Sequence, residues 1–295
     1  MQQFFQQVVS GLASGAIYAA LALALVLIYR STGVINFAQG EMATFTTFIA
    51  WSLMEHHGIS YWPAFFLTLA IAFAGGVLVQ RVLIRPFERA GPLTVVIATI
   101  GLLLCLNSLA GLVWHTDQKT LQSPFPTRPV SVGGVAMSIL DLGTIAVVLG
   151  TVVGLWAFFR FTKIGLAMRA AALQPASSRL HGVRVGWMLA LGWGLAAVLG
   201  AVAGLLTAPT QGSFDQNLML SVLIYAFAAA VLGGLESPLG AVVGGLSLGV
   251  GLNLLGTYVG FVTSELRLPV ALAVLVAVLL VRPSGLFGRR MVRKV

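Results

Sequence analysis

The stretch VVSGLASGAIYAALALALVLIYRSTGVINFAQGEMATF, residues 8–45, joins a long apolar run to a polar break and a second apolar run. A helix needs about 20 mostly apolar residues to cross the hydrocarbon core of a bilayer. Residues 8–29 reach that length without a charged side chain, so we expect them to form a membrane-spanning helix. The residues before them lack the basic n-region of a secretory signal, which favours a retained first span over a cleaved leader.

The composition extends this interpretation to the whole chain. Of its 295 residues, 58% are hydrophobic and 8% are charged, whereas about a quarter of an ordinary soluble domain is charged. The mean hydropathy is +0.98. We therefore predict an all-α polytopic membrane protein, with one transmembrane domain over residues 1–295 and eight or nine spans. The candidate spans are roughly 8–29, 33–54, 61–80, 93–114, 142–160, 187–208, 219–235, 239–257 and 268–281.

The basic residues predict the orientation. If successive spans alternate, fourteen of the 17 Lys and Arg residues fall on one side. By the positive-inside rule that side is cytoplasmic, so we expect an extracytoplasmic N-terminus and a cytoplasmic C-terminus. The net charge of +9 is then an orientation signal, and we expect no nucleic-acid partner. The cytoplasmic set is Arg30, Arg81, Arg85, Arg89, Arg160, Lys163, Arg169, Arg179, Arg184, Arg282, Arg289, Arg290, Arg293 and Lys294, and the extracytoplasmic set is Lys119, Arg128 and Arg267.

Two connections are long enough to have a function. Residues 115–141 lie outside and are rich in Pro, Ser, Thr and Gly, which predicts an irregular ordered loop. Residues 160–186 lie inside and contain apolar side chains at helical spacing, which predicts one short amphipathic helix. Pro175 either ends this helix or starts a second turn. Such a helix either docks on a partner or rests on lipid headgroups. The spaced apolar residues are Ile164, Ala167, Met168 and Ala171.

The polar break contains Asn36, Gln39 and Glu41, close to the start of the second predicted span. A carboxylate deep in a bilayer costs on the order of 2.5–3.5 kcal/mol on insertion scales, so it should face a cavity or a partner. Gly33 and Gly40 bracket the patch and permit a kink or a broken helix, which is tolerated where it lines a water-filled path. The patch is therefore a candidate wall of a translocation path. Two alternatives are polar groups that join helices inside the bundle, and a cytoplasmic loop.

Two further amides lie inside apolar runs. Asn107 in the fourth predicted span and Asn253 in the eighth could line the same path. They could equally form interhelical hydrogen bonds, which contribute about 0.6 kcal/mol each in membranes.

Several common chemistries are not indicated. The chain has no Walker-type Gly-Lys-Ser/Thr loop and no His-Glu-x-x-His pair, so we expect no cofactor, no metal and no enzymatic activity. The single cysteine, Cys105, excludes an intrachain disulfide. Few charges lie inside the predicted spans, which argues against a proton relay. A passive path or an externally powered path for a small molecule remains.

Three stretches, in this order, resemble the permease subunits of branched-chain amino acid ABC importers. STGVINFAQGEMATF, residues 31–45, resembles the family's motif after the first span, and FTKIGLAMRAAALQPASSRLHGV, residues 161–183, resembles its cytoplasmic coupling segment. AAAVLGGLESPLGAVVGG, residues 228–245, resembles its later glycine-rich segment. The order and spacing agree over nearly the whole chain.

This resemblance implies a multi-pass protein of the bacterial inner membrane that pairs with a second, homologous permease. It also implies two cytoplasmic ATPase subunits, which hydrolyse ATP, and an extracytoplasmic binding protein that delivers the substrate. The coupling helix, about Lys163–Gly182, would seat in an ATPase cleft, and the matching residues are Lys163, Gly165, Arg169, Ala170 and Gly182. The predicted packing and turn glycines are Gly33, Gly40, Gly233, Gly234 and Gly240.

The transported molecule stays open. An apolar path with Asn36, Gln39, Glu41 and Asn107 suits branched-chain or related hydrophobic amino acids, and the same family includes permeases for urea and short amides. A self-sufficient secondary transporter or channel is the alternative from another class, although it would not need a docking helix at 160–186.

Overall fold

The computed structural model describes residues 2–288, except 88–89, 127, 133–134, 261–262, 264–265 and 283. Arg89, Arg289, Arg290, Arg293 and Lys294, which belong to the predicted cytoplasmic set, lie outside the described residues. The helices are α1 Gln2–Thr32, α2 Gln39–Glu55, α3 Tyr61–Leu78, α4 Pro92–Trp114, α5 Ile139–Phe161, α6 Lys163–Leu173, α7 Pro175–Leu180, α8 Val185–Gln211, α9 Leu220–Gly233, α10 Pro238–Tyr258 and α11 Arg267–Val281. A π-helical turn over Val79–Ile84 and a 3-10 turn over Arg85–Phe87 extend α3.

The all-α membrane architecture is confirmed, and a helix lies at each of the nine predicted spans. Within the described part of the chain, six helices are long and apolar enough to cross a bilayer: α1, α3 with its extension, α4, α5, α8 and α10. The other three, α2, α9 and α11, have 17, 14 and 15 residues. The number of crossings and the sides of the two termini therefore stay predictions.

Two helices form the centre of the bundle. In both α1 and α8, 78% of the most apolar window is buried, against 17% in α4 and 11% in α5. Small side chains let α1 pack tightly on α10, because a Cβ atom on Gly15 would lie 2.8 Å from the carbonyl oxygen of Gly245. Close backbone approach of this kind replaces the hydrophobic drive for helix association in lipid.

Contacts along the helices give their relative directions. Gly200 packs on Gln39 and Gly204 on Ala43, so α8 and α2 run parallel. Tyr61, at the start of α3, donates a hydrogen bond of 3.2 Å to the Leu205 carbonyl near the end of α8, so α3 runs antiparallel to α8. These directions agree with helices that alternate across a membrane.

The connection between α9 and α10 is a tight glycine hairpin. Gly233 and Gly240 face each other so closely that a Cβ atom on either would overlap the backbone of the other. Gly234 adopts φ +101°, a conformation that residues with a Cβ atom rarely adopt. Ser237 caps α10, since its hydroxyl accepts a hydrogen bond of 3.0 Å from the Gly240 N–H.

The long connection before α5 contains more regular structure than its composition predicts. It contains two antiparallel strands, β1 Pro129–Val132 and β2 Val135–Ser138, in which Pro129 pairs with Ser138. The expectation of an irregular loop is therefore wrong for this part of residues 115–141. Backbone pairing between the strands satisfies polar groups that a composition-based prediction leaves to solvent.

Candidate functional site

The polar break forms the joint between α1 and α2. Helix α1 ends at Thr32, whose hydroxyl donates 2.8 Å to the Ile28 carbonyl and accepts 3.3 Å from the Val34 N–H. Gly33 follows with φ +71° and with open space where a Cβ atom would be. Six residues, 33–38, are non-helical before α2 begins at Gln39. The backbone is therefore broken at the position where the glycine suggested a kink.

Asn36 and Gln39 fix the start of α2 on α8. Both side chains are fully buried. Asn36 Oδ1 accepts 3.1 Å from the Ala38 N–H, and Asn36 Nδ2 donates 3.1 Å to Gln39 Oε1. Gln39 Nε2 donates 2.9 Å to the Ala196 carbonyl of α8. These contacts are those expected of groups that join helices inside the bundle.

Glu41 and Asn107 form a polar pair between α2 and α4. Asn107 Nδ2 donates 3.2 Å to Glu41 Oε2 and lies 3.4 Å from the carbonyl oxygen of Gln216, in the loop before α9. Glu41 is 6% exposed. The ion pair found in the described chain joins Lys119 to Asp117, so no described cation lies within 4.0 Å of the Glu41 carboxylate. The buried Glu41 carboxyl group therefore has one described side-chain hydrogen-bond partner, the Asn107 amide.

A second buried polar group near the Glu41–Asn107 pair has no hydrogen-bond partner among the described residues. Thr44 is one helical turn beyond Glu41, and its buried hydroxyl has no hydrogen-bond partner among the described residues. Gly111 of α4 leaves room for the Gln216 side chain, because a Cβ atom there would lie 2.6 Å from Gln216 Oε1. An orphaned polar atom in a buried site often marks the place of a ligand or water.

An aromatic cluster lies at the other end of the contact between α2 and α4, which is called the α2–α4 seam below. Trp114 stacks on Phe48 with ring centroids 5.2 Å apart and meets Phe45 edge-on at 5.1 Å. Phe214 packs on Phe48 at 5.0 Å. Trp114 Nε1 also donates 2.6 Å to the Ser52 hydroxyl. Sequence reasoning missed this cluster, although the i, i+3 spacing of Phe45 and Phe48 was a signal.

Asn253 is not part of this group. Its amide donates 2.8 Å to the Gln7 carbonyl and 2.9 Å to Gln7 Oε1, which ties α10 to the beginning of α1. Of the two amides that the sequence singled out, only Asn107 lies beside Glu41.

In the segment 160–186 the predicted short helix is present as α6, which ends at Leu173, and a second short helix, α7, begins at Pro175. Thr162 caps α6 by accepting 2.9 Å from the Gly165 N–H. Gly165 sits against the last turn of α5, where a Cβ atom would lie 2.5 Å from the Phe158 carbonyl oxygen. Met168 and Ala171 are buried, and the Met168 side chain lies 3.8 Å from the position of a Cβ atom on Gly192 of α8. The absence of a Cβ atom at Gly165 therefore lets α6 begin in close contact with the last turn of α5.

The opposite side of this segment is exposed and partly apolar. Ile164 is 50% exposed, so the predicted apolar stripe is buried only at Met168 and Ala171. Lys163, Ala170 and Gly182 are exposed, and Gly182 adopts φ +78°. Arg169 is half-buried, and its Nε has no hydrogen-bond partner within the described residues. Large apolar side chains on the exposed side are Ile164, Leu166, Leu173 and Leu180.

The described residues show no His, Cys, Asp or Glu cluster that could hold a metal ion. A letter match to the nucleophile-elbow motif, Gly245-x-Ser247-x-Gly249, lies inside α10. Ser247 Oγ donates 3.1 Å to the Gly244 carbonyl of the same helix. The strand-to-helix turn that exposes such a serine in hydrolases is therefore missing at this position.

Comparison with known families identifies the chain. The family described as branched-chain amino acid transport system / permease component matches residues 7–279. The chain belongs to this permease family. The permease is thus a subunit of a transport system, and with its apolar helices it is a multi-pass protein of the bacterial cytoplasmic membrane.

Individual relatives match the permease over nearly its full length. The high-affinity branched-chain amino acid transport system permease protein BraD of Pseudomonas aeruginosa is 32% identical, covering 99% of this chain and 98% of the relative. LivH of Escherichia coli is 30% identical with the same coverage. A probable branched-chain amino acid transport permease protein LivH of Methanocaldococcus jannaschii is 30% identical over 91% of this chain and 87% of the relative. No solved structure matches the permease.

Proposed function

We propose that this permease forms the translocation path of an ATP-binding-cassette importer for branched-chain or related hydrophobic amino acids. The observation that carries the proposal is the family match over residues 7–279. In this proposal the chain pairs with a second homologous permease, two ATPase subunits bind beneath, and an extracytoplasmic binding protein delivers the substrate. ATP hydrolysis takes place on the ATPases and not on this chain.

The seam between α2 and α4 is the proposed path. Glu41 offers a carboxylate to the ammonium group of an amino acid, while Asn107 offers an amide that can rearrange from Glu41 to substrate. The Thr44 hydroxyl, which has no partner among the described residues, provides a further polar contact. Asn36 and Gln39 hold the start of α2 in place beside this path. The aromatic cluster around Trp114 is the proposed barrier on the side of the binding protein.

The exposed side of α6 and α7 is the proposed coupling surface. Lys163, Ala170 and Gly182 are accessible there, beside exposed leucines that an ATPase cleft would cover. Gly165 keeps α6 tight against α5, so a push on α6 reaches the bundle directly. Arg169 is half-buried beside this surface, and its guanidinium group is the proposed contact with an acidic or carbonyl group of the ATPase.

The decisive experiment reconstitutes the complete transporter in proteoliposomes. Radiolabelled leucine and the binding protein are added outside, with ATP and the ATPase subunits inside. We expect concentrative uptake that requires ATP and that unlabelled isoleucine or valine suppresses. ATP-dependent uptake of radiolabelled urea or acetamide, without uptake of leucine, would move the substrate to the amide class. Concentrative uptake by this chain alone under an ion gradient would overturn the proposal.

A further inference from the structure

A large basic cavity lies at the end of the bundle where α1 ends and α8 begins. Its volume is about 940 Å³. Its walls come from the end of α1, the extension of α3, the start of α4, the α6–α7 segment and the start of α8. This cavity is separate from the Glu41–Asn107 pair, since neither residue lines it.

Three arginines line the cavity, namely Arg81, Arg85 and Arg179, and no Asp or Glu is among its lining residues. The ion pair recorded for the described residues is elsewhere, so none of the three is neutralised by a described carboxylate. Glu88 and Arg89, next along the chain, lie outside the described residues. The described lining of the cavity therefore has an excess of positive charge.

Arg81 is held so that it can bind an anion. Its guanidinium lies 3.2 Å from the ring centroid of Trp187, in a cation–π contact. Its Nε is buried and has no hydrogen-bond partner among the described residues. A guanidinium presents several donors in a planar fork that matches phosphate oxygens. Stacking on Trp187 fixes that fork without using any of its donors.

The surroundings indicate that the anion belongs to a lipid. Next to Arg81, the side chains of Leu78 and Val82 are exposed and apolar, as are Leu93 and Ile97 on α4. Such faces contact acyl chains in a membrane, while Ile84 and Val95 give the cavity itself apolar walls. A free anion would use only the arginines. A phospholipid would use the arginines for its headgroup and the exposed helix faces for its chains.

We propose that this cavity binds the phosphate headgroup of an anionic phospholipid. Basic pockets between membrane helices on the cytoplasmic side are suited to such headgroups. Because Ala171, Pro175 and Arg179 belong to the α6–α7 segment, the bound lipid bridges this segment to α1, α3 and α8. The binding claim does not rest on the proposed transport function, since it concerns the chain and the lipid alone.

The test compares lipid retention by the purified full chain. The chain is incubated in mixed micelles of phosphatidylglycerol and phosphatidylethanolamine, and retained lipids are counted by native mass spectrometry. We expect selective retention of phosphatidylglycerol. Each arginine near the headgroup contributes about fivefold to binding, so R179Q should weaken retention about fivefold and R81Q/R85Q/R179Q should abolish it. The control R160Q/R184Q/R282Q removes the same charge at exposed positions that do not line the cavity, and it should retain the lipid.

Other outcomes would overturn the proposal. Equal retention by the cavity variant and the control would do so, and so would equal retention of the two lipids by the unaltered chain. If millimolar inorganic phosphate displaces phosphatidylglycerol completely, the site serves a free anion. If the cavity substitutions leave lipid retention unchanged but release the ATPase subunits when the variant is purified as the complete transporter, the site serves an acidic protein. If R81Q/R85Q/R179Q fails to fold, two measurements still test the proposal. One is phosphatidylglycerol retention by R179Q, which changes an exposed side chain, and the other is the lipid selectivity of the unaltered chain.

Discussion

Replacing Glu41 with Gln separates a role in transport from a role in folding. The substitution keeps the size of the side chain and its acceptor oxygen toward Asn107 Nδ2, 3.2 Å away in the structure. A hydrogen bond to a charged group contributes about 1.5–3 kcal/mol and a neutral one about 0.5–1.5 kcal/mol, so roughly 1 kcal/mol is lost. Removing a buried charge recovers part of an insertion cost of about 2.5–3.5 kcal/mol. The two effects oppose each other, and we expect the stability of E41Q to be unchanged or slightly higher.

Transport should respond differently. If the carboxylate contacts the ammonium group of the substrate, E41Q replaces the charged acceptor by a neutral one, and that contact weakens by roughly 1 kcal/mol. Since about 1.4 kcal/mol corresponds to a factor of ten in rate, uptake should fall about fivefold. The assay measures initial leucine uptake in proteoliposomes, together with the thermal unfolding midpoint of the purified complex.

The control is E55Q, the same substitution at the exposed end of α2. Both uptake and unfolding should be unaffected in this variant. Normal uptake by E41Q would refute a role for Glu41 in the path. Loss of uptake that follows a matching fall in the unfolding midpoint would assign Glu41 a structural role instead.

Three further substitutions test the coupling segment and the glycine hairpin. R169E should remove uptake and ATPase co-purification while membrane insertion persists, and retained ATPase with normal uptake would show that Arg169 is not at the coupling surface. T162A removes the cap of α6 and should destabilise this helix by about 1 kcal/mol; faster amide exchange confined to α6 should report it, and unchanged exchange would contradict the capping geometry. G233A forces a Cβ atom into the Gly240 backbone and should destabilise the protein by about 1–3 kcal/mol. The control G251A, where no neighbour lies within 4 Å, should leave the unfolding midpoint unchanged or raise it, and equal destabilisation of both variants would contradict the hairpin packing.

The presence of the helices could be predicted from the sequence. In hydrocarbon the backbone N–H and C=O groups have no water to bond to, so they must form hydrogen bonds within the chain. Each apolar run therefore had to become a helix, and each did. Boundaries were less certain where side chains compete with the helix. The second span was predicted from residue 33, but α2 begins at Gln39. Asn36 accepts the Ala38 N–H, which favours a turn over a helix at this point.

The candidate site was predicted only in part. Hydropathy indicates the position of a residue along a span, but it does not indicate which neighbouring helix the residue contacts. Glu41 and Asn107 could each be recognised as unusual, yet their contact joins positions 66 residues apart. The basic cavity was hidden for another reason. The excess of arginines on one side fully explains the orientation prediction, so the convergence of Arg81 and Arg179 left no separate signal in the sequence.

The seam between α1 and α10 limits how this protein can change shape. Its contacts are backbone against backbone, through Gly15 on one helix and Gly245 and Gly249 on the other. Glycine has no rotamers, so this interface cannot repack into a second arrangement by exchanging side-chain conformations. The two helices are therefore expected to travel as one rigid body. We therefore expect alternation of access between the two faces of the membrane to involve the outer helices, such as α4 and α5, which are less buried within this chain.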